Sequence, residues 1–202
     1  ITQTTSTPLA LVAAKSFGPS TPRELAEYAK KNPGTTFAGT SGVVRLAPVL
    51  FAQAANVEME YVPYRGSTAA HPDLISGRVA IMFDTVPAAL PHIQSGALKC
   101  LATTGVSRAP QLPDVPTMME AGVNFNQLSW LSFVSAAGTP KDVIAKLNAE
   151  INRVLREPDV RERFTSLGME PVGGTPELLG EHIRKQVETW TNVIRASGAK
   201  AD

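Results

Sequence analysis

The residues with the most chemical promise sit where apolar strands give way to helices. Gly39-Thr40-Ser41-Gly42 opens one helix, Gly66-Ser67-Thr68 opens another, and Asp84-Thr85 closes the apolar run Val79–Phe83. Backbone N–H groups at a helix start lack intrahelical acceptors and attract anions, and glycine lets a ligand approach the backbone closely. Hydroxyls at Thr40, Ser41, Ser67 and Thr68 add donors. The chemistry on offer is capture of a small anion. On spacing alone, ordinary capped turns have the stronger claim at both glycine junctions. Asp84 reads equally well as a cap near Pro87 and as a ligand contact.

Catalytic patterns do not survive the same scrutiny. Ser41 beside Gly42 lacks the Gly-x-Ser-x-Gly elbow of a nucleophilic serine. His71, His92 and His182 are far apart in sequence and have no metal-ligand spacing. No glycine-rich dinucleotide or phosphate loop follows a strand. No cofactor, metal or catalytic residue is expected. Cys100, the single cysteine, rules out an intrachain disulfide and reads as a buried, inert thiol.

The elements that must position these loops alternate. Pro8–Ala14 is a strand; Thr21-Pro22-Arg23-Glu24 is a capping box for a helix that stops at Asn32-Pro33-Gly34. Strand Thr35–Gly39 precedes a helix from Val44 to Asn56, and strand Met59–Val62 precedes a helix over Thr68–Ser76. Val79–Phe83 and Leu98–Thr104 are strands flanking a helix over Ala88–Ser95. This alternation predicts an α/β fold with a mostly parallel sheet, whose ligands collect at the carboxyl ends of strands. After a proline-rich stretch, Ser129–Ala136 is a strand. Helices then start at Thr139-Pro140-Lys141-Asp142, at Pro158 and at Thr175-Pro176-Glu177. The last, closed by Gly198, carries the stripe Leu179, Ile183, Val187, Trp190 and Ile194. These helices lack a sheet of their own to cover.

With 202 residues, 43% hydrophobic and 18% charged, the chain has the composition of a globular protein. Its net charge of +1 and lack of basic clusters speak against nucleic acid as a partner. Ile1 opens directly into a Thr/Ser-rich run with no signal-peptide pattern, as if the chain began inside a fold.

Taken together, the segments resemble the extracytoplasmic receptors of tripartite tricarboxylate transporters, the Bug or TctC-type family. The match includes Ala29-Lys-Lys-Asn-Pro-Gly34, Tyr61-Val-Pro-Tyr-Arg-Gly66, Asp73-Leu-Ile-Ser-Gly77 and Met82-Phe-Asp84. It continues through Arg108, Pro113-Asp-Val-Pro-Thr117, Glu120-Ala-Gly122 and Gly138-Thr-Pro140. The resemblance implies a periplasmic binding protein type II-like, two-lobed Venus flytrap fold, with one lobe complete and the other partial. Residues 1–8 would end the first lobe and form a hinge, 9–133 the second lobe, and 134–202 the helices returning to the first. In family members about a hundred further residues supply the rest of the first lobe. A half-cleft of this kind would hold its ligand weakly.

The implied function is periplasmic capture of a small carboxylate for the permease subunits of a membrane transporter. The alternative is a truncated paralogue acting through protein contacts. Self-association through the final helices is a further expectation. The resemblance carries ligand contact onto Gly39–Val43, onto Tyr64, Gly66, Ser67 and Thr68, and onto Asp84 with Thr85, which would accept a ligand amine or hydroxyl. The first loop departs from the family pattern by being about two residues short. Arg45 also stands there where His is common. It would either meet a carboxylate bidentately or face solvent in the first helical turn.

Overall fold

The computed structural model describes residues 1–197. It divides into two compact units: Pro8–Ser129, and Ile1–Thr7 with Trp130 to the C-terminus. Strand β1 (Thr2–Ala14) begins in the second of these and continues into the first. Its Thr/Ser-rich opening is therefore strand as well, in keeping with the preference of β-branched threonine for extended backbone.

In the unit Pro8–Ser129 the chain order is α1 (Pro22–Lys31), β2 (Thr35–Gly39), α2 (Gly42–Ala55), β3 (Met59–Pro63), α3 (Ser67–Ile75), β4 (Ile81–Thr85), α4 (Val86–Gln94) and β5 (Leu98–Thr103). The strands lie in the order β3-β2-β4-β1-β5. β2 pairs in parallel with β3 and β4, Gly39 opposite Pro63 and Ala38 opposite Met82. β1 runs antiparallel to both β4 and β5, which corrects the expectation of a mostly parallel sheet. Alternating strands and helices set the direction only of strands joined by helical crossovers. β1 has no such crossover to β4 or β5 and is inserted between them in the opposite sense.

The core of this unit forms on β1, where Leu9–Ala13 are fully buried, with Leu25, Phe37, Phe51, Leu74, Ile81, Met82, Phe83 and Leu101 packed around them. Phe51 of α2, tilted, and Phe125 of the proline-rich segment, edge-on, both pack against Phe83 of β4. The capping box of α1 forms with a shift. The Thr21 hydroxyl accepts from Glu24 N–H at 3.1 Å, while Glu24 accepts from Ser20 N–H rather than Thr21 N–H, at 2.7 Å. Arg108 pairs with Glu120 at 3.0 Å, and Glu120 accepts from Thr117 N–H, pinning the long connection after β5.

The other unit contains β6 (Leu128–Phe133, which starts just before it), α5 (Lys141–Val154), α6 (Pro158–Ser166), β7 (Glu170–Pro171) and α7 (Pro176–Ser197). β6 pairs with β1, and β7 pairs with it at Thr5 and Ser6. Two asparagines on α5 clamp this unit. Asn148 donates to Ile1 O and Gly174 O; Asn152 donates to Gly174 O and accepts from Gly174 N–H. A Cβ on Gly173, whose φ is +79°, would lie 2.5 Å from Asn152 Oδ1, so the clamp requires glycine there.

Two local expectations are corrected. Thr139 does not cap α5: its hydroxyl donates to Ala136 O, and Pro140 occupies the cap without a side-chain bond. The stripe on α7 buries Leu179 and Val193 and half-buries Ile183 and Trp190, while Val187 is 60% and Ile194 40% exposed. A 3.6-residue turn carries the buried line past 186 to 193 instead of 187 and 194. Gly198 lies outside the described residues.

Candidate functional site

Because β3, β2 and β4 are neighbours and parallel, their carboxyl ends lie on one edge of the sheet. Each passes almost at once into a helix, starting at Gly42, Ser67 and Val86. Adjacent strands lie about 4.8 Å apart, so the three junctions fall within roughly 10 Å of one another along that edge. The topology thus brings to one edge the three junctions that carry the sequence-predicted residues: Gly39–Val43 with Arg45, Tyr64 with Gly66–Thr68, and Asp84 with Thr85. Three helix starts there present N–H groups without intrahelical acceptors.

At the first junction Gly39 is buried and Ser41 and Gly42 are exposed. A Cβ on Gly39 would stand 2.7 Å from Tyr61 Cε2 and 3.2 Å from Arg45 Cα, so no larger residue fits. Gly39 O accepts from Tyr64 N–H at 2.9 Å, tying the second junction to the first. Gly42 has φ +54°, and its missing side chain faces open space. Ser41 caps α2 through extended backbone while its hydroxyl makes no capping bond. Val43 is half-buried at the start of α2. Arg45 lies half-buried over the Tyr61 ring, 4.6 Å from its centroid, a cation–π contact in place of the solvent-facing position.

At the second junction Gly66 is extended and a Cβ there would meet nothing, leaving open surface before α3. Thr68 is exposed. Tyr64 turns away from the junction: its hydroxyl donates to Asp73 Oδ2 at 2.7 Å, near the far end of α3. Burial, together with Asp73, pushes the Tyr64 phenol up to about 12. Arg78 holds the other Asp73 oxygen at 2.7 Å.

At the third junction Asp84 is only 1% exposed. Its Oδ1 accepts from the Ser67 hydroxyl at 2.7 Å and from Thr85 N–H at 2.8 Å. Its Oδ2 lies 2.8 Å from His71 Nε2. Buried to 1% exposure among these donors, Asp84 presents no surface to the ligand amine or hydroxyl expected of it. It braces the junction from beneath instead, and the cap near Pro87 is only its bond to Thr85. His71, considered in sequence only as a metal ligand, is buried and meets the His92 ring at 4.4 Å. The signal for it was available: His71 follows Ser67 by four residues and so shares its face of α3. Among the described residues no group of three or more His, Cys, Asp or Glu side chains is arranged to hold a metal.

The family model described as "Tripartite tricarboxylate transporter family receptor" matches residues 1–199. The chain belongs to that family. Its members are solute-binding receptors, not enzymes. A relative in Pseudomonas sp. (strain P51), the UPF0065 protein in the tcbD-tcbE intergenic region, is 39% identical over 176 residues. That alignment covers 85% of this chain and 52% of the relative, so the chain spans about half the relative's length. The structure of R. palustris Rpa4515 with adipate superposes with a TM-score of 0.89 at 30% identity, over 97% of this chain and 67% of that one. MatC from Rhodopseudomonas palustris with bound malate gives 0.84 at 30% identity, over 95% and 68%. The chain has the α/β fold of these receptors over about two thirds of their length.

Proposed function

We propose that this chain is the ligand-holding part of an extracytoplasmic receptor that captures a small carboxylate in the periplasm and delivers it to the membrane subunits of a tripartite transporter. One observation carries the reading: three helix starts, α2, α3 and α4, share one sheet edge with open space before Gly42 and Gly66. Their N–H groups and dipoles favour a negative charge over a neutral solute. The two neighbours hold adipate and malate, both small carboxylates. Among the described residues no helix is long and apolar enough to cross a membrane.

A ligand that binds only the native state raises its stability by RT ln(1 + [L]/Kd), about 2.7 kcal/mol at a hundredfold excess over Kd. Thermal unfolding with millimolar succinate, adipate or phenylacetate should show a rise in Tm that the corresponding neutral amides do not give. Equal shifts with acid and amide, or no shift with any acid, would sink the proposal.

A further inference from the structure

The site's hydrogen-bond polarity is set from below by a buried group. Asp84 is 1% exposed and is surrounded by the Ser67 hydroxyl, Thr85 N–H and His71 Nε2 at 2.7, 2.8 and 2.8 Å. A carboxylate in that company accepts from all three, so the one hydroxyl proton of Ser67 points down at Asp84. What Ser67 Oγ turns upward is lone pairs. Tyr64 has likewise given its hydroxyl proton to Asp73. The edge therefore offers donors from its backbone N–H groups and an acceptor at Ser67.

We infer that Asp84 is a positioning residue, and that through Ser67 it selects carboxylates bearing a hydrogen-bond donor, a hydroxyl or ammonium, on the carbon beside the carboxyl group. An unsubstituted acid satisfies the N–H groups but leaves the Ser67 acceptor facing a C–H bond. A 2-hydroxy or 2-amino acid satisfies both. His71 belongs to the same device: its Nε2 proton occupies the other Asp84 oxygen and keeps the carboxylate from rotating away from Ser67.

This inference rests on the carboxylate reading of the site, and the test separates the two. Calorimetric titration of the full chain compares acids that differ only at the carbon next to the carboxyl group: succinate with malate, and phenylacetate with mandelate. The hydroxy acid of a pair should bind roughly three- to tenfold more tightly, the worth of one added hydrogen bond. Ser67→Ala should bring that ratio to within about twofold of one. Asp84→Asn keeps an amide oxygen for Ser67 and Thr85 and should retain the preference, whereas Asp84→Ala should lose it. Equal affinities in the unaltered chain, or a preference that survives Ser67→Ala, would overturn the inference and leave the carboxylate site standing. No binding by any of the four acids would overturn the site itself.

Discussion

The two units are held together by different means. In Pro8–Ser129 the buried apolar side chains, from Leu9 to Phe125, form one continuous core. Among the described residues the other unit buries only three apolar side chains, Leu155, Leu179 and Val193. Helices α5 and α6 bury none, and Leu131, Phe133, Val134, Leu178 and Val187 are exposed. That unit relies on strand pairing at Thr5 and Ser6 and on the asparagine clamp around Gly174. A packed core excludes water and rewards each methylene, whereas a hydrogen bond is worth only about 1 kcal/mol net because water offers the same partners. The three helix starts of the candidate site all lie on the packed unit, which suits loops that must be held in place.

The sharpest way to break this contrast is in the packed unit. Phe83→Ala removes the ring against which Phe51 and Phe125 pack and should cost about 3–5 kcal/mol in urea unfolding. A much smaller loss would mean that the core is looser than its burial implies. Burial raises the Cys100 thiol to about 12, so the loss should also appear as faster labelling by a thiol reagent at neutral pH. Gly39→Ala should cost about 1–3 kcal/mol, because its methyl would press on Tyr61 and the α2 backbone. It should also weaken carboxylate binding, which a purely structural glycine would leave alone.

Tyr64→Phe should cost about 1 kcal/mol. Its phenol is raised in the folded chain, chiefly by burial and then by Asp73, from an ordinary value near 10 to about 12. The stability this group contributes is fully present below pH 10 and is lost as pH rises toward 12. The variant should flatten that alkaline decline, measured as Tm against pH. At the small end, Phe133→Ser, at a position 55% exposed, should change stability by no more than about 0.5 kcal/mol. Light scattering should show concentration-dependent association of the unaltered chain, weakened by this substitution. A loss of several kcal/mol would show that Phe133 is packed after all and erase the contrast.

Much of this was legible in the sequence, and the exceptions share a cause. Alternating strands and helices located β2 to β5 and α1 to α4 to within a few residues, because apolar runs and Gly/Pro breaks are local signals. The direction of β1 was not legible, since nothing local records which neighbours a strand will be inserted between. The loops at Gly39 and Gly66 stood out because glycine beside hydroxyls at a helix start has a mechanism. What the hydroxyls do did not stand out: Tyr64 bonds Asp73, and Ser67 bonds Asp84 across from α3 to β4. Such commitments depend on packing between elements, and spacing cannot report them. The exposed Val187 and Ile194 show the same limit, since a period fitted over several turns drifts by one residue.

The clamp at Gly174 also sets a timetable. Thr2 donates to Gly174 O at 3.0 Å across 172 positions of chain. At roughly 5–20 residues per second of synthesis, Thr2 waits on the order of ten seconds or more for that partner to be made. The unit from Pro8 to Ser129 is continuous and owes its core to nothing made later. On the ribosome it can fold before that partner is made, with the edge that carries its three helix starts already assembled.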